Sequence, residues 1–92
     1  MTRREDIAKV LRVLEKQQAA GTGWTWVRRI AKQSSMHREA VRRIVDGYLA
    51  EAIEVADAEP LIGEGLRIKP IRLKDGVTAK GHLKWLKAMG KL

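Results

Sequence analysis

The first apolar residues of the chain recur at intervals of three and four, which is the spacing of one face of a helix. They are Ile7, Val10, Leu11 and Leu14. The pattern predicts a first helix from about Arg4 to Ala20, which Gly21 and Gly23 end. The opposite face carries basic residues that are either solvated or in contact with phosphate: Lys9, Arg12 and Lys16.

Two shorter helices are predicted next, with a tight joint between them. The second runs from about Trp26 to Ser34, with Thr25 as its N-cap and Trp24 in a very short strand before it. Its inner face consists of Val27, Ile30 and Ala31. We interpret Trp24 and Trp26 as core residues; the alternative is a platform that stacks on the bases of a single strand. The small side chain of Ser35 permits a close turn after this helix.

The third helix is predicted to begin near Met36 or His37 and to end near Ala52. At 100° per residue, its inner face consists of Val41, Ile44, Val45, Tyr48 and Ala52. Gly47 lies inside this helix, where glycine costs about 1 kcal/mol relative to alanine. A close approach of another backbone would explain the glycine.

After the third helix, two segments alternate between apolar and polar residues, which is the period of a half-buried strand. They are Ile53–Asp57 and Leu66–Lys69, with a loop between them at Glu59–Gly65. Pro70 interrupts the second segment, and Ile71 and Leu73 then take the opposite parity. This switch predicts a bulge or bend in an edge strand.

The last helix is predicted from about Ala79 to Met89, with Thr78 as its N-cap and Gly90 as its stop. Its apolar arc covers roughly 160° and consists of Ala79, His82, Leu83, Trp85, Leu86 and Met89. An end helix of one small domain rarely needs so broad an arc. The outer edge, Trp85 and Met89, therefore predicts a homodimer through this helix.

The net charge of +8 is unevenly distributed, because the segment from Ile44 to Leu66 has six acidic residues and no lysine or arginine. A basic balance favours a polyanionic partner, usually nucleic acid or anionic lipid. The chain has no asparagine and many arginines, lysines and glutamates, a usage similar to that of thermophiles.

Several classes of protein are disfavoured by what the chain lacks. There is no cysteine, and His37 and His82 are far apart without a flanking acidic motif, so we expect no metal and no other cofactor. No nucleophile–base set, glycine-rich phosphate loop or carboxylate cluster is present, so we expect no enzyme. No apolar run is long enough for a signal peptide or a transmembrane helix, which predicts a cytoplasmic protein with no membrane partner.

Three helices, a β-hairpin and a closing helix, in this order, resemble a winged helix-turn-helix domain, an α+β fold. Three stretches carry the resemblance: the packing residues Ile30-Ala31, Ser35-Met36, Val41 and Ile44; the helix exit Tyr48–Ile53; and the segments Ile71–Leu73 and Val77–Leu83. The last stretch is similar to the strand, Leu-Thr-x-Lys-Gly and final helix of small archaeal MarR- or PadR-like transcription regulators. The resemblance implies one domain over 1–92, with the helix-turn-helix at about 26–52, the wing at about 53–73 and the C-terminal helix at about 78–90.

The resemblance also implies a regulator that binds double-stranded DNA and is associated with the nucleoid. The first two turns of the third helix would read bases in the major groove: His37, Arg38, Glu39, Arg42 and Arg43. Phosphate contacts would come from Arg28 and Arg29 beside the turn, and from Arg67, Lys69 and Arg72 on the second wing strand. On a merely solvated helix, Glu39 would instead pair with Arg42 or Arg43.

The chain departs from the family pattern at three places. His37 stands where Ser or Thr is usual, Ala52 stands where glycine is commonest, and the wing tip, Glu59–Gly65, is acidic. The acidic tip predicts that it points away from DNA or contacts a protein partner. Two alternatives use the same fold: a protein-interaction adaptor, and a chromatin-like architectural binder that does not read sequence.

Overall fold

Residues 3–21, 23–56 and 70–92 are described by the computed structural model, and they form four helices and two strands. In chain order these are α1 (Arg4–Ala20), α2 (Val27–Ser34), α3 (Arg38–Tyr48), β1 (Ile53–Val55), β2 (Ile71–Leu73) and α4 (Ala79–Ala88). The strands pair antiparallel, so the described part of the chain is α+β, as predicted. None of these four helices is long and apolar enough to span a membrane.

The bounds predicted for α1 are confirmed, and this helix lies at the centre of the fold. It packs against α2, α3, α4 and β2. The apolar residues that predict it, Ile7, Val10, Leu11 and Leu14, are all 0% exposed. Burying one such side chain stabilises the folded state by about 1.5–3 kcal/mol. The core that α1 anchors also includes Ile30, Ala31, Val41, Ile44, Val45, Leu73 and Leu86.

The end predicted for α3 is wrong, because the helix ends at Tyr48 and not near Ala52. Leu49 and Ala52 are both buried in the turn that follows, where the Ala52 N–H donates to the Leu49 carbonyl at 2.9 Å. The Ala52 carbonyl in turn accepts from the N–H of Lys74, just after β2, at 2.9 Å. The helix therefore stops where the chain must turn to reach the sheet.

The segment before α2 differs from its prediction in two details. Thr25, not Trp24, makes the short strand contact: its N–H donates to the Ile71 carbonyl at 2.9 Å, and its carbonyl accepts from the Ile71 N–H at 2.7 Å. Thr25 is therefore not the N-cap of α2, because Trp26 occupies that position without a side-chain cap. Within the described residues, the buried Thr25 hydroxyl has no hydrogen-bond partner.

Two side chains cap the N terminus of α4. The Thr78 Oγ1 accepts from the Gly81 N–H at 3.0 Å, which confirms the predicted N-cap. In addition, the Glu15 carboxylate of α1 accepts from the Ala79 N–H, with 2.7 Å between Oε2 and N. The two bonds satisfy two of the four N–H groups that the start of a helix leaves without intrahelical partners. Gly90, with φ of +75°, follows the helix where the sequence predicts its stop.

Part of the predicted wing lies outside the described residues. This holds for the tip, Glu59–Gly65, and for the alternating segment Leu66–Lys69. In the described part, β1 and β2 pair Ile53 with Leu73, Glu54 with Arg72 and Val55 with Ile71.

We expect the two glycines inside helices to respond differently to alanine. A Cβ at Gly47 would meet no atom within 4 Å, so the predicted close approach of another backbone is wrong. A Cβ at Gly81 would lie 2.9 Å from the capping Thr78 Oγ1. Gly47→Ala should therefore raise the free energy of unfolding by about 1 kcal/mol, whereas Gly81→Ala should show no such gain because the cap must shift. Urea unfolding measures both, and equal gains would contradict the role given to the cap.

We expect Thr25→Val to raise the free energy of unfolding by about 1 kcal/mol, because it removes a buried hydroxyl that has no partner and keeps the branched shape. Thr25→Ser is the matched control. It keeps the hydroxyl and removes a methyl group, so it should lower the stability by about 1 kcal/mol. Thermal and urea unfolding of both variants provide the comparison. A loss of stability in Thr25→Val would mean that the Thr25 hydroxyl has a hydrogen-bond partner in solution.

Candidate nucleic-acid interface

The joint between α2 and α3 depends on one residue with left-handed backbone. Ser35 has φ of 58° and ψ of 40°, and it is the one non-glycine residue with positive φ in the described ranges. Its N–H and the N–H of Met36 both donate to the Ala31 carbonyl, the latter at 2.9 Å. His37 is extended, and α3 begins immediately after it. The close turn predicted at Ser35 is therefore present, and it sets α3 against α2.

Six exposed basic residues lie on the outer sides of these two helices. We call them the α2–α3 basic surface: Arg28, Arg29 and Lys32 on α2, and Arg38, Arg42 and Arg43 on α3. The inner sides of the same helices are in the core, with Ile30 and Val41 fully buried. None of the six basic residues forms an ion pair with another residue that the structure describes. Their charges are therefore available to an anionic partner.

Glu39 and His37, which are also predicted to read bases, are exposed. Glu39 lies in the first turn of α3, where a negative charge interacts favourably with the helix dipole. It forms no ion pair with Arg42 or Arg43, the pairing expected of a merely solvated helix. His37 is at the N-cap position of α3, and its side chain makes no capping hydrogen bond.

Trp26 adds an aromatic group beside the α2–α3 basic surface. Its side chain is 37% exposed, and the Arg29 guanidinium lies 5.6 Å from the centre of its ring. A guanidinium over an indole face is an attractive contact that restricts where the arginine points. The sequence interpretation of Trp26 as a core residue is therefore wrong. Trp26 and Arg29 are three residues apart at the start of α2, and side chains at this spacing lie close together on a helix. This spacing could have predicted the contact from the sequence.

Arg72, one of the predicted phosphate contacts, is bound within the protein. Its Nε donates to the Glu54 Oε2 at 2.7 Å across the sheet, and its guanidinium lies 4.9 Å from the centre of the Trp24 ring. The Arg72 side chain is 27% exposed. These contacts give it a role in joining β1, β2 and the segment before α2. The other two predicted wing contacts, Arg67 and Lys69, lie outside the described residues.

Trp85 and Met89, the two residues predicted to form the dimer interface, differ in their exposure to solvent. Trp85 is half-buried and stacks on His82, with 5.4 Å between ring centres and 16° between planes. The buried His82 donates from Nε2 to the Tyr48 carbonyl at 2.7 Å, which joins α4 to the end of α3. Met89, by contrast, is 58% exposed. The apolar arc of α4 is therefore used largely by the core of its own chain.

Among the described residues, no group of three or more His, Cys, Asp or Glu side chains is placed to hold a metal ion. Comparison of the chain with models of protein families, with curated proteins and with solved structures gives no match.

Proposed function

We propose that this protein is a winged helix-turn-helix domain that binds double-stranded DNA as a small transcription regulator. The order of elements supports this, since α1, α2 and α3 precede the antiparallel strands β1 and β2, and α4 closes the chain. The left-handed joint at Ser35 supports it too, because it holds two short helices against each other with their basic sides outward.

The observation that carries the proposal is the α2–α3 basic surface. Six basic residues are exposed on two adjoining helices, and the exposed acidic residues of the same helices are Glu39 and Asp46. Within α2 and α3, Arg28–Lys32 and Arg38–Arg42 are like-charge pairs four residues apart, and such pairs destabilise a helix. A row of phosphates would relieve this repulsion. Even with Glu39 and Asp46 counted, the two helices expose an excess of positive charge, which favours a polyanionic partner.

In the proposed complex, α3 lies in the major groove, which is about 12 Å wide in B-form DNA and admits a helix. Arg42 and Arg43 would contact bases or groove phosphates, and arginine can donate two parallel hydrogen bonds to guanine. Glu39 would accept from cytosine or orient an arginine. Arg28 and Arg29 would hold the phosphate backbone, which fixes the position of α3 without reading sequence. An architectural binder would use the same surface without base contacts.

We expect Arg42→Gln with Arg43→Gln to lower the affinity for a duplex by about 10- to 100-fold, because the variant removes two arginines from the groove and its phosphates. The salt dependence should also become shallower, by about 0.9 in log–log slope for each phosphate that the variant no longer neutralises. The matched control is Lys9→Gln with Arg12→Gln, which removes the same charge from the exposed side of α1. Fluorescence anisotropy with random-sequence DNA across a salt series measures both variants.

Two outcomes of this titration would count against the proposal. Absence of duplex binding by the wild-type protein at low salt would overturn it and favour the protein-interaction adaptor. Equal reductions in affinity in the two double variants would show that net charge, rather than α3, is responsible. Repeating the titration with many defined sequences then separates a regulator, which prefers some of them, from an architectural binder.

The homodimer through the C-terminal helix remains a prediction, supported by the exposure of Met89 and of Leu92, which is 40% exposed. We expect Met89→Asp to convert a dimer to a monomer, because it would bury a carboxylate in the interface. Met89 makes little contact with its own core, so the variant should fold normally. Sedimentation equilibrium measures the mass, and a monomeric wild-type protein at high concentration would contradict the dimer.

A further inference from the structure

Two pairs of tryptophan and arginine lie beside the segment that leads into α2. In this segment Thr25 is paired with β2, and Trp26 has extended backbone. Side chains alternate along an extended chain, so Trp24 and Trp26 lie on the side opposite to the fully buried Thr25. Each of the two rings has a guanidinium over it. Arg72 lies 4.9 Å from the centre of the Trp24 ring, and Arg29 lies 5.6 Å from the centre of the Trp26 ring.

In the first of these pairs, the arginine contacts a ring and an anion at the same time. The Arg72 guanidinium lies over Trp24, while its Nε donates to the Glu54 Oε2 at 2.7 Å. A guanidinium can do both because it is planar: its face contacts an aromatic ring, and its N–H groups point outward in the plane. This pair shows, within the same protein, how an arginine over an indole binds an oxyanion.

The second pair has the same ring contact but no anionic partner among the described residues. Arg29 forms no hydrogen bond or ion pair with any of them, so all five N–H donors of its guanidinium are unused there. Its own helix contains no aspartate or glutamate that could serve as a partner. Arg29 and Trp26 are both exposed. The second pair therefore presents to the outside the arrangement that the first pair uses within the protein.

We propose that Trp26 positions the Arg29 guanidinium so that its edge binds a phosphate group of the DNA backbone. The inference rests on the proposed function, which supplies the duplex. Arg72, with a ring at its face and a carboxylate at its edge, is the internal model for this contact. Phosphate suits the same edge, because two of its oxygens can accept the parallel N–H groups of one guanidinium. Trp26 is a positioning residue in this arrangement and contacts the arginine rather than a base.

The indole should matter because an exposed arginine is otherwise free to adopt many conformations. Ordering such a side chain on binding costs affinity, and a contact that restricts the side chain in advance lowers that cost. The attraction between a cation and an indole also becomes stronger when water is excluded from it. Base stacking on Trp26 is the alternative, but the ring face that carries Arg29 is not available to a base.

The test is a double-mutant cycle of duplex affinity, measured by fluorescence anisotropy with a labelled random-sequence duplex. Trp26→Leu removes the aromatic face without changing the charge, and it should lower the affinity about three- to tenfold, the size of a cation–π contact between its exposed and desolvated limits. Arg29→Gln should lower the affinity too, and should reduce the log–log salt slope by about 0.9 because one phosphate is no longer neutralised. In the Arg29→Gln background, Trp26→Leu should change the affinity less than twofold.

The matched control uses the neighbouring arginine, Arg28, which is exposed and has no aromatic contact with a described residue. In the Arg28→Gln background, Trp26→Leu should still lower the affinity about three- to tenfold. The conservative variant Trp26→Tyr keeps an aromatic face and should bind within about twofold of the wild type. Circular dichroism and thermal unfolding establish that each variant folds, and the Tyr variant keeps the test decisive if Trp26→Leu does not.

Four outcomes would overturn the inference. Equal effects of Trp26→Leu in the Arg28→Gln and Arg29→Gln backgrounds would show that Trp26 does not act through Arg29. A salt slope unchanged by Arg29→Gln would show that this arginine binds no phosphate. Equal binding by Trp26→Leu and the wild type would show that the ring contact has no role in binding. Greater loss of affinity for a single strand than for the duplex in Trp26→Leu would assign the ring to base stacking. All four leave the proposed function standing, whereas wild-type protein that binds no duplex would overturn both proposals.

Discussion

The whole fold depends on the burial of one face of α1. A chain of this size has a small core. α1 lies at its centre, because it packs against α2, α3, α4 and β2. The same helix supplies the Glu15 carboxylate that caps the start of α4. The left-handed joint at Ser35 can orient α3 only because the inner faces of α2 and α3 find this core. The α2–α3 basic surface therefore depends on the apolar residues of this core.

β2 is the second element that joins distant parts of the fold, and it carries Arg72, whose partners within the protein are described above. Ile71 pairs with Val55 on one side and with Thr25 on the other, so both edges of the strand are used. Arg72, next to it, is held by Glu54 and by the Trp24 ring. An arginine with a carboxylate and an indole as partners stabilises its own protein. The arginines of the α2–α3 basic surface have no described carboxylate partner, and this difference separates structural from candidate binding residues.

The sequence by itself determined the features that depend on near neighbours. The bounds of α1 follow from apolar residues spaced by three and four, the cap of α4 joins Thr78 to Gly81 within one turn, and the close turn at Ser35 follows from small side chains. The exposure of Arg42 and Arg43 also follows, because helical periodicity fixes which side faces the core.

Only the tertiary structure decided the features that join distant parts of the chain. The end of α3, the pairing of Thr25 with Ile71, the Glu15 cap of α4 and the partners of Arg72 are of this kind. The hydrogen bond from His82 to the Tyr48 carbonyl is also of this kind. From the sequence pattern, His82 is only a histidine on the apolar face of a helix. Local pattern limits which side of an element is buried. Packing decides which polar atoms form hydrogen bonds with each other, because each buried polar atom needs a partner once water is excluded.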